Sequence, residues 1–143
     1  MLFITDRTTA DILLGNEKGT YNYTDLNRVE ANVQELQQLM EEIGIHADIS
    51  TVKTDWKPAS QVPIFSATEW PTREQMNIYL NNVKAIKQAF PGAAHALPGT
   101  LDNMTVDTAN AIEKNLEYIY NMIRNIKTAW LRCGNTVSGG YIR

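Results

Sequence analysis

The chain has 143 residues, 43% of them hydrophobic and 20% charged, which fits one globular domain and excludes a disordered tail or a fibrous repeat. Thirteen Lys plus Arg against sixteen Asp plus Glu leave a net charge of −3, too little positive charge to track a phosphate backbone, so no nucleic-acid partner is expected. A single cysteine, Cys133, excludes an intrachain disulfide, and charges interrupt every apolar run well short of a membrane span, so neither membrane insertion nor secretion behind an apolar leader is expected.

In chain order, an N-terminal segment over 1–21 holds a predicted short helical turn at 8–14. The glycine-containing stretch 15–20 lacks the spacing of a phosphate loop and follows no strand. A first long helix is predicted over 22–43, where Asn22 is followed three residues on by Asp25 in capping-box register. The connector 44–71 has 28 residues, far beyond a usual helix connection, and carries Trp56, Trp70, Pro58, Pro63 and Pro71. Its alternating run 47–52 reads as a short strand, and the remainder as an extended strap laid across the helices. A second long helix is predicted over 72–90 behind Thr72 and Gln75. A third follows over 105–133 behind Thr105 and Thr108, stopping near Cys133 and Gly134, with a Gly/Ser-containing tail over 134–143. The expected architecture is all-α, a single domain over 1–143 built as a three-helix bundle with a long strap-like connector between helices 1 and 2.

The three long segments share one register. Counted from the caps, positions +4, +7, +11, +14 and +18 read Leu26, Val29, Val33, Leu36 and Met40; Met76, Tyr79, Val83, Ile86 and Phe90; and Ala109, Ile112, Leu116, Ile119 and Ile123. Alternating steps of three and four keep one seam of each helix facing its neighbours. The third helix extends the rule to Ile126 and Trp130 and is expected to be the longest. Positions +5 and +10 are asparagine in all three: Asn27 and Asn32, Asn77 and Asn82, Asn110 and Asn115. Asparagine is a poor helix former, so either an Asn-rich chain falls into this register by chance or the amides bond to a neighbouring helix or a loop end; a ligand-binding amide cluster is the remaining alternative. Charge is uneven, −4 over 22–43 and +2 over 72–90, which suggests that the first and second helices are neighbours.

Chemistry finds little to work with. His46 and His95 both fall in connecting segments without a carboxylate at a recognisable spacing, Cys133 sits at a helix end, and the carboxylates match no metal-loop pattern. No catalytic residue, cofactor site or metal site is predicted. Trp56 and Trp70 are expected chiefly as strap anchors in the core. As aromatic partner contacts the candidates are Tyr21, Tyr23, Trp56, Trp70 and Tyr141.

One likeness goes beyond physics. Asp6-Arg7-Thr8-Thr9-Ala10-Asp11 and the run from Lys18 through Glu30 resemble the opening of a domain found in structural proteins of tailed bacteriophages and prophages of Firmicutes. Lys53-Thr54-Asp55-Trp56, Tyr79-Leu80-Asn81-Asn82-Val83, Ala96-Leu97-Pro98, Ala109-Asn110-Ala111-Ile112-Glu113 and Trp130 continue it through nearly the whole chain. The family's usual small-residue acidic ending is replaced here by Tyr141-Ile142-Arg143. The resemblance implies a tail, baseplate or fibre-adaptor component, made in the bacterial host cytoplasm and located in the virion. Such a part is not an enzyme; it works as a homo-oligomer against other virion proteins. A head-associated virion protein is the nearest variant, and a stand-alone module binding carbohydrate or the host surface is the rival. Connector tryptophans buried against the helices favour the assembly part; tryptophans exposed together in a groove favour the binder.

Overall fold

Capping chemistry sets where the helices begin. Thr8, Asn22 and Thr72 each accept a bond from a backbone N–H of the first turn, while Asp11, Asp25 and Gln75 accept one in return from the cap's own N–H. Thr105 and Thr108 do the same with hydroxyls, at 3.1 and 2.8 Å. The resulting elements of this computed structural model are α1 (Thr9–Leu14), a 3-10 turn (Glu17–Gly19), α2 (Tyr23–Glu42), α3 (Arg73–Ala89) and α4 (Val106–Val137). The structure describes residues 1–19, 21–57, 71–90, 92, 95–102 and 104–137, with side chains through Trp130. The fold is all-α, with no strand among the described residues. Pro58, Pro63, Trp70 and the last residues of the expected tail, Tyr141 among them, lie outside the described residues.

Where the chain must turn, glycine supplies the geometry. Gly44 (φ 81°) ends α2 in a Schellman arrangement, its N–H donating to the Glu41 carbonyl at 3.0 Å and the Ile45 N–H to the Met40 carbonyl at 2.9 Å. Gly19 serves a close approach instead, since a Cβ there would lie 2.3 Å from the Asp11 carbonyl oxygen. Two expectations need correction. The helix expected to stop near Cys133 and Gly134 runs on through Val137, so the first residues of the expected tail are helical. Glycine stops a helix only where the chain takes the left-handed conformation; otherwise it costs about 1 kcal/mol and the helix continues. The run 47–52 is extended but is not a strand, because a side chain and not another strand meets its backbone.

The seam packs as its spacing predicts. Fourteen of the fifteen shared positions are buried, Met76 alone being partly covered, and Val29, Val33, Leu36, Val83, Ile86, Ile112, Leu116 and Ile119 have no exposed surface. Each of α2, α3 and α4 packs against the other two. They also run the same way. Arg28 near the start of α2 meets Glu113 near the start of α4, and Glu42 at the end of α2 pairs with Lys127 far along α4. On α3, Asn82 reaches Glu30 at 3.2 Å, and Arg73 at its start meets Asp102 just ahead of α4. The first and second long helices are neighbours, as their net charges suggest, although among the described residues the ion pairs that α2 makes with other elements go to α4, to Arg7 and to His46.

The asparagine register has a structural cause. Asn82 accepts from the Ser50 N–H (2.9 Å) and donates to the Ser50 carbonyl (2.7 Å). Asn27 treats Trp56 the same way (2.8 and 2.8 Å), Asn110 treats Arg7 (3.0 and 2.9 Å) and Asn115 treats His95 (3.1 and 2.8 Å). Asn32 donates to the Leu2 carbonyl at 2.7 Å. Each amide imitates one rung of a sheet, so the extended segments are hydrogen-bonded to helices. Position +10 of each helix holds the extended segment that leads into that helix. Position +5 holds the same segment lower down from a neighbouring helix: Asn110 of α4 at Arg7, Asn27 of α2 at Trp56. Asn77, the sixth, is exposed and makes no such clamp among the described residues.

The clamps and the seam make separable predictions. Leu116→Ala and Ile86→Ala should each destabilise by about 2–5 kcal/mol in urea unfolding, through lost burial and an unfilled cavity. Asn115→Ala should cost about 1–3 kcal/mol because it leaves both backbone groups of His95 without their partner. Asn77→Ala should stay within about 0.5 kcal/mol of the parent.

Candidate functional site

The N-terminal segment is fastened by charge as well as by amides. The Arg7 guanidinium donates to the Ile4 carbonyl (2.8 Å), to Asp25 (2.8 Å) and to Glu113 (2.9 Å). Arg28 donates to the same two carboxylates, at 2.6 Å each from one nitrogen and at 3.1 Å to Glu113 from another. Glu113 also accepts the Ile4 N–H at 2.8 Å. Two guanidinium groups and two carboxylates thus neutralise one another, with Arg7, Asp25 and Glu113 buried and Arg28 half-buried. Only the Arg7 Nε is left without a partner among the described residues. The Tyr21 ring lies under the Arg7 guanidinium at 5.6 Å, and its hydroxyl bonds that of Tyr79. Burial raises the pKa of both phenols, so they stay protonated.

Glu30 stands at the same helical position as Glu113, eight residues past its cap, in a different setting. Its carboxylate is fully buried and, among the described residues, meets amides, Gln34 at 3.3 Å and Asn82 at 3.2 Å. Burial pushes its pKa up to about 7, against the opposing pull of those two donors. Gln34 and Asn82 in turn hold the Val52 and Ser50 carbonyls, so the group sits beneath the first extended connector.

With Arg7 turned inward, the residues after it turn outward. Thr8 caps α1, Asp11 completes the box, and Ile12, Leu13 and Leu14 then stand 51%, 84% and 76% exposed. Three consecutive large apolar side chains in solvent are the least expected feature of the surface. Beside them lies an open groove of about 620 Å³, lined by Thr8, Thr9 and Ile12 on one wall and Met104, Val106 and Asp107 at the start of α4 on the other. The candidate site is therefore this apolar face and groove, at the end where the helices begin.

The expected contact aromatics divide. Trp56 is buried in the core, its backbone clamped by Asn27 and its ring covered by the Lys53 ammonium at 5.0 Å. Tyr21 and Tyr23 are partly buried against the core. Trp70 and Tyr141 lie outside the described residues, as does the side chain of Cys133. His46 is exposed, and its bond to Glu41 raises its pKa; His95 is exposed and contributes its backbone to the Asn115 clamp. Among the described residues no three His, Cys, Asp or Glu side chains gather as a metal site, and no helix is long and apolar enough to cross a membrane. Two features escaped sequence reading: the Arg7 network and the apolar α1 face. A glutamate at the +8 position of both α2 and α4, beside the seam, was the available signal for buried charge.

The buried acids give measurable consequences. Arg7→Met should cost about 3–5 kcal/mol, because it leaves the two carboxylates facing a single cation. Adding Glu113→Gln should restore part of that loss, so the double mutant falls short of additivity by about 1 kcal/mol or more. Native Glu30 holds its proton up to about pH 7, whereas unfolded glutamate releases it near pH 4.3, so the native state binds the extra proton between those values. Unfolding free energy should therefore fall as pH rises through that window, by about 2–3 kcal/mol, and Glu30→Gln should flatten the slope in urea titrations at pH 5 and 8.

Comparison with known proteins adds no relative: no family model, curated protein or solved structure matches the chain.

Proposed function

We propose that the chain is a structural component of a bacteriophage or prophage virion, a tail, baseplate or fibre-adaptor part that acts by protein–protein assembly. In this reading the architecture is a three-helix bundle whose extended connectors are strapped to it. The observation that carries the proposal is a division of labour in the residues behind the phage-family resemblance. Arg7, Asp25, Arg28, Trp56 and Glu113 turn inward and are spent on fastening extended segments. Ile12, Leu13 and Leu14, carried on the short helix that the same motif caps, turn outward. A rigid frame that displays an apolar ridge is built for occupying a place among other proteins. Burial of Trp56 supports the same side of the choice, since a glycan-stacking platform needs an accessible ring face.

The test is compositional. Particles purified from a bacterium carrying the gene should contain the chain at a fixed ratio to the major tail protein. The exposed replacements Leu13→Ser and Leu14→Ser together should leave thermal unfolding unchanged and lower that ratio several-fold. Absence of the chain from particles, or a purified chain that binds surface glycans with unaltered incorporation in the double variant, would overturn the proposal.

A further inference from the structure

The first extended connector is fixed at two points and lightly held between them. Ala47 and Trp56 are buried in the core, and Asn27 holds the Trp56 backbone by two bonds. From Asp48 to Asp55 every side chain is exposed or half-buried. Side-chain amides keep this stretch against the bundle: Asn82 of α3 binds both backbone groups of Ser50, and Gln34 of α2 donates to the Val52 carbonyl at 3.2 Å. Both amides are engaged on the inner side as well. The same two nitrogens donate to Glu30, at 3.2 and 3.3 Å, so one carboxylate orients both clamps. Glu30 has no exposed surface, whereas Ser50 and Thr51 of the covering stretch are exposed. One layer of extended chain, with its amides beneath, separates the acid from water.

No cation pairs with Glu30 among the described residues. On α2 its neighbours one turn away are Leu26 and Gln34, both neutral. From α3 come the Asn82 amide and the Tyr79 phenol, which burial keeps protonated, with Tyr21, Glu113 and Glu30 adding to that effect. Glu113 of α4 is taken by Arg7 and Arg28. In the connector, Asp48, Asp55 and Lys57 are exposed, and Lys53 lies over the Trp56 ring with Asp55 at 3.9 Å. The sequence over 58–71 contains no Lys or Arg. A protonated acid is stable in such a place; an ionised one needs a cation or water, and water is the nearer of the two.

We propose that 48–55 is a pH-responsive flap, closed over Glu30 while the acid holds its proton and lifting between its Ala47 and Trp56 anchors when the acid ionises, so that water reaches the carboxylate. The helices stay in place, because the seam and both anchors remain buried; the opening is local. In the lifted form Glu30 regains an ordinary pKa of about 4.3, against about 7 when covered, so the lifted population grows about tenfold per pH unit between those values and levels off above them. The flank made by α2 and α3 therefore changes its surface around neutral pH. The inference goes beyond the assembly reading and stands without it.

Hydrogen exchange of the full chain reads the flap, since the Ser50 N–H donates to Asn82. Normalised to an unstructured peptide, its protection should fall about tenfold or more between pH 5 and 7.5, while the Leu116 N–H inside α4 stays about tenfold or more better protected throughout. The carbon resonance of the Glu30 carboxyl should titrate over the same range. Glu30→Gln, which keeps the shape and cannot ionise, should hold Ser50 protection constant within about twofold across it. Four results would overturn the flap: Ser50 exchange no faster than that of Leu116, Ser50 protection that is absent at pH 5 or indifferent to pH, a slope that persists in Glu30→Gln, or a Glu30 carboxyl already ionised at pH 5.

Discussion

Three helices that all point the same way leave the chain with a return journey before each of them. A helix of 20 residues is about 30 Å long, so coming back needs roughly nine extended residues, and their backbone groups must find partners without a sheet. Asparagine solves this because its amide carries one acceptor and one donor side by side, matching the N–H and carbonyl of a single extended residue. The clamps at Arg7, Ser50, Trp56 and His95 meet that need at mid-helix and near the helix starts. With the returns fixed against the helices, the seam is closed from outside and the helices keep their common direction.

The charged network belongs to the first of these returns. Arg7 arrives already positioned by Asn110, and its guanidinium meets carboxylates from α2 and α4 that Arg28 alone would leave half-neutralised. A buried ion pair is weak evidence of stability on its own, since desolvation offsets much of the attraction. Its value lies in geometry: only one path of the N-terminal segment satisfies all four groups. Glu30 stands at the same helical position without a cation, and there burial raises its pKa while the Gln34 and Asn82 amides pull the other way.

Seam and caps were legible because both are local and periodic: fifteen apolar positions in one register and a cap before each helix left little room for another reading. The asparagines were visible as a pattern and as partners for loop ends, but their bidentate geometry needed the path of the chain. Helix direction was encoded in connector length, since 44–71 and 91–104 are both long enough to return and far longer than an antiparallel turn requires. The supposed strand at 47–52 shows the limit of periodicity, which registers that side chains alternate and is silent on what pairs the backbone. The supposed stop at Gly134 shows another: a glycine permits a left-handed turn and does not impose one. Arg7 stayed hidden because a single arginine before a cap looks like surface until three distant groups converge on it.

Parallel packing also explains why the two ends differ. Every helix favours acids in its first turn and bases in its last, through the partial charges of its unpaired backbone groups. In an antiparallel arrangement those preferences alternate from helix to helix and cancel at each end of the molecule. Here the first turns of α2, α3 and α4 share one end, so Asp25, Glu74 and Asp107 gather there, while of the three last turns only that of α3 carries a base, Lys87. By contrast, α2 ends in Glu41 and Glu42, and both are answered locally, by His46 and by Lys127 of α4. The exposed apolar side chains of α1, Ile12, Leu13 and Leu14, sit at the end where the three long helices begin, and on α4 Trp130, a seam position past the Lys127–Glu42 pair, is exposed as well. The common direction of the helices, held by the asparagine-clamped returns, is what gathers the three capped first turns at one end.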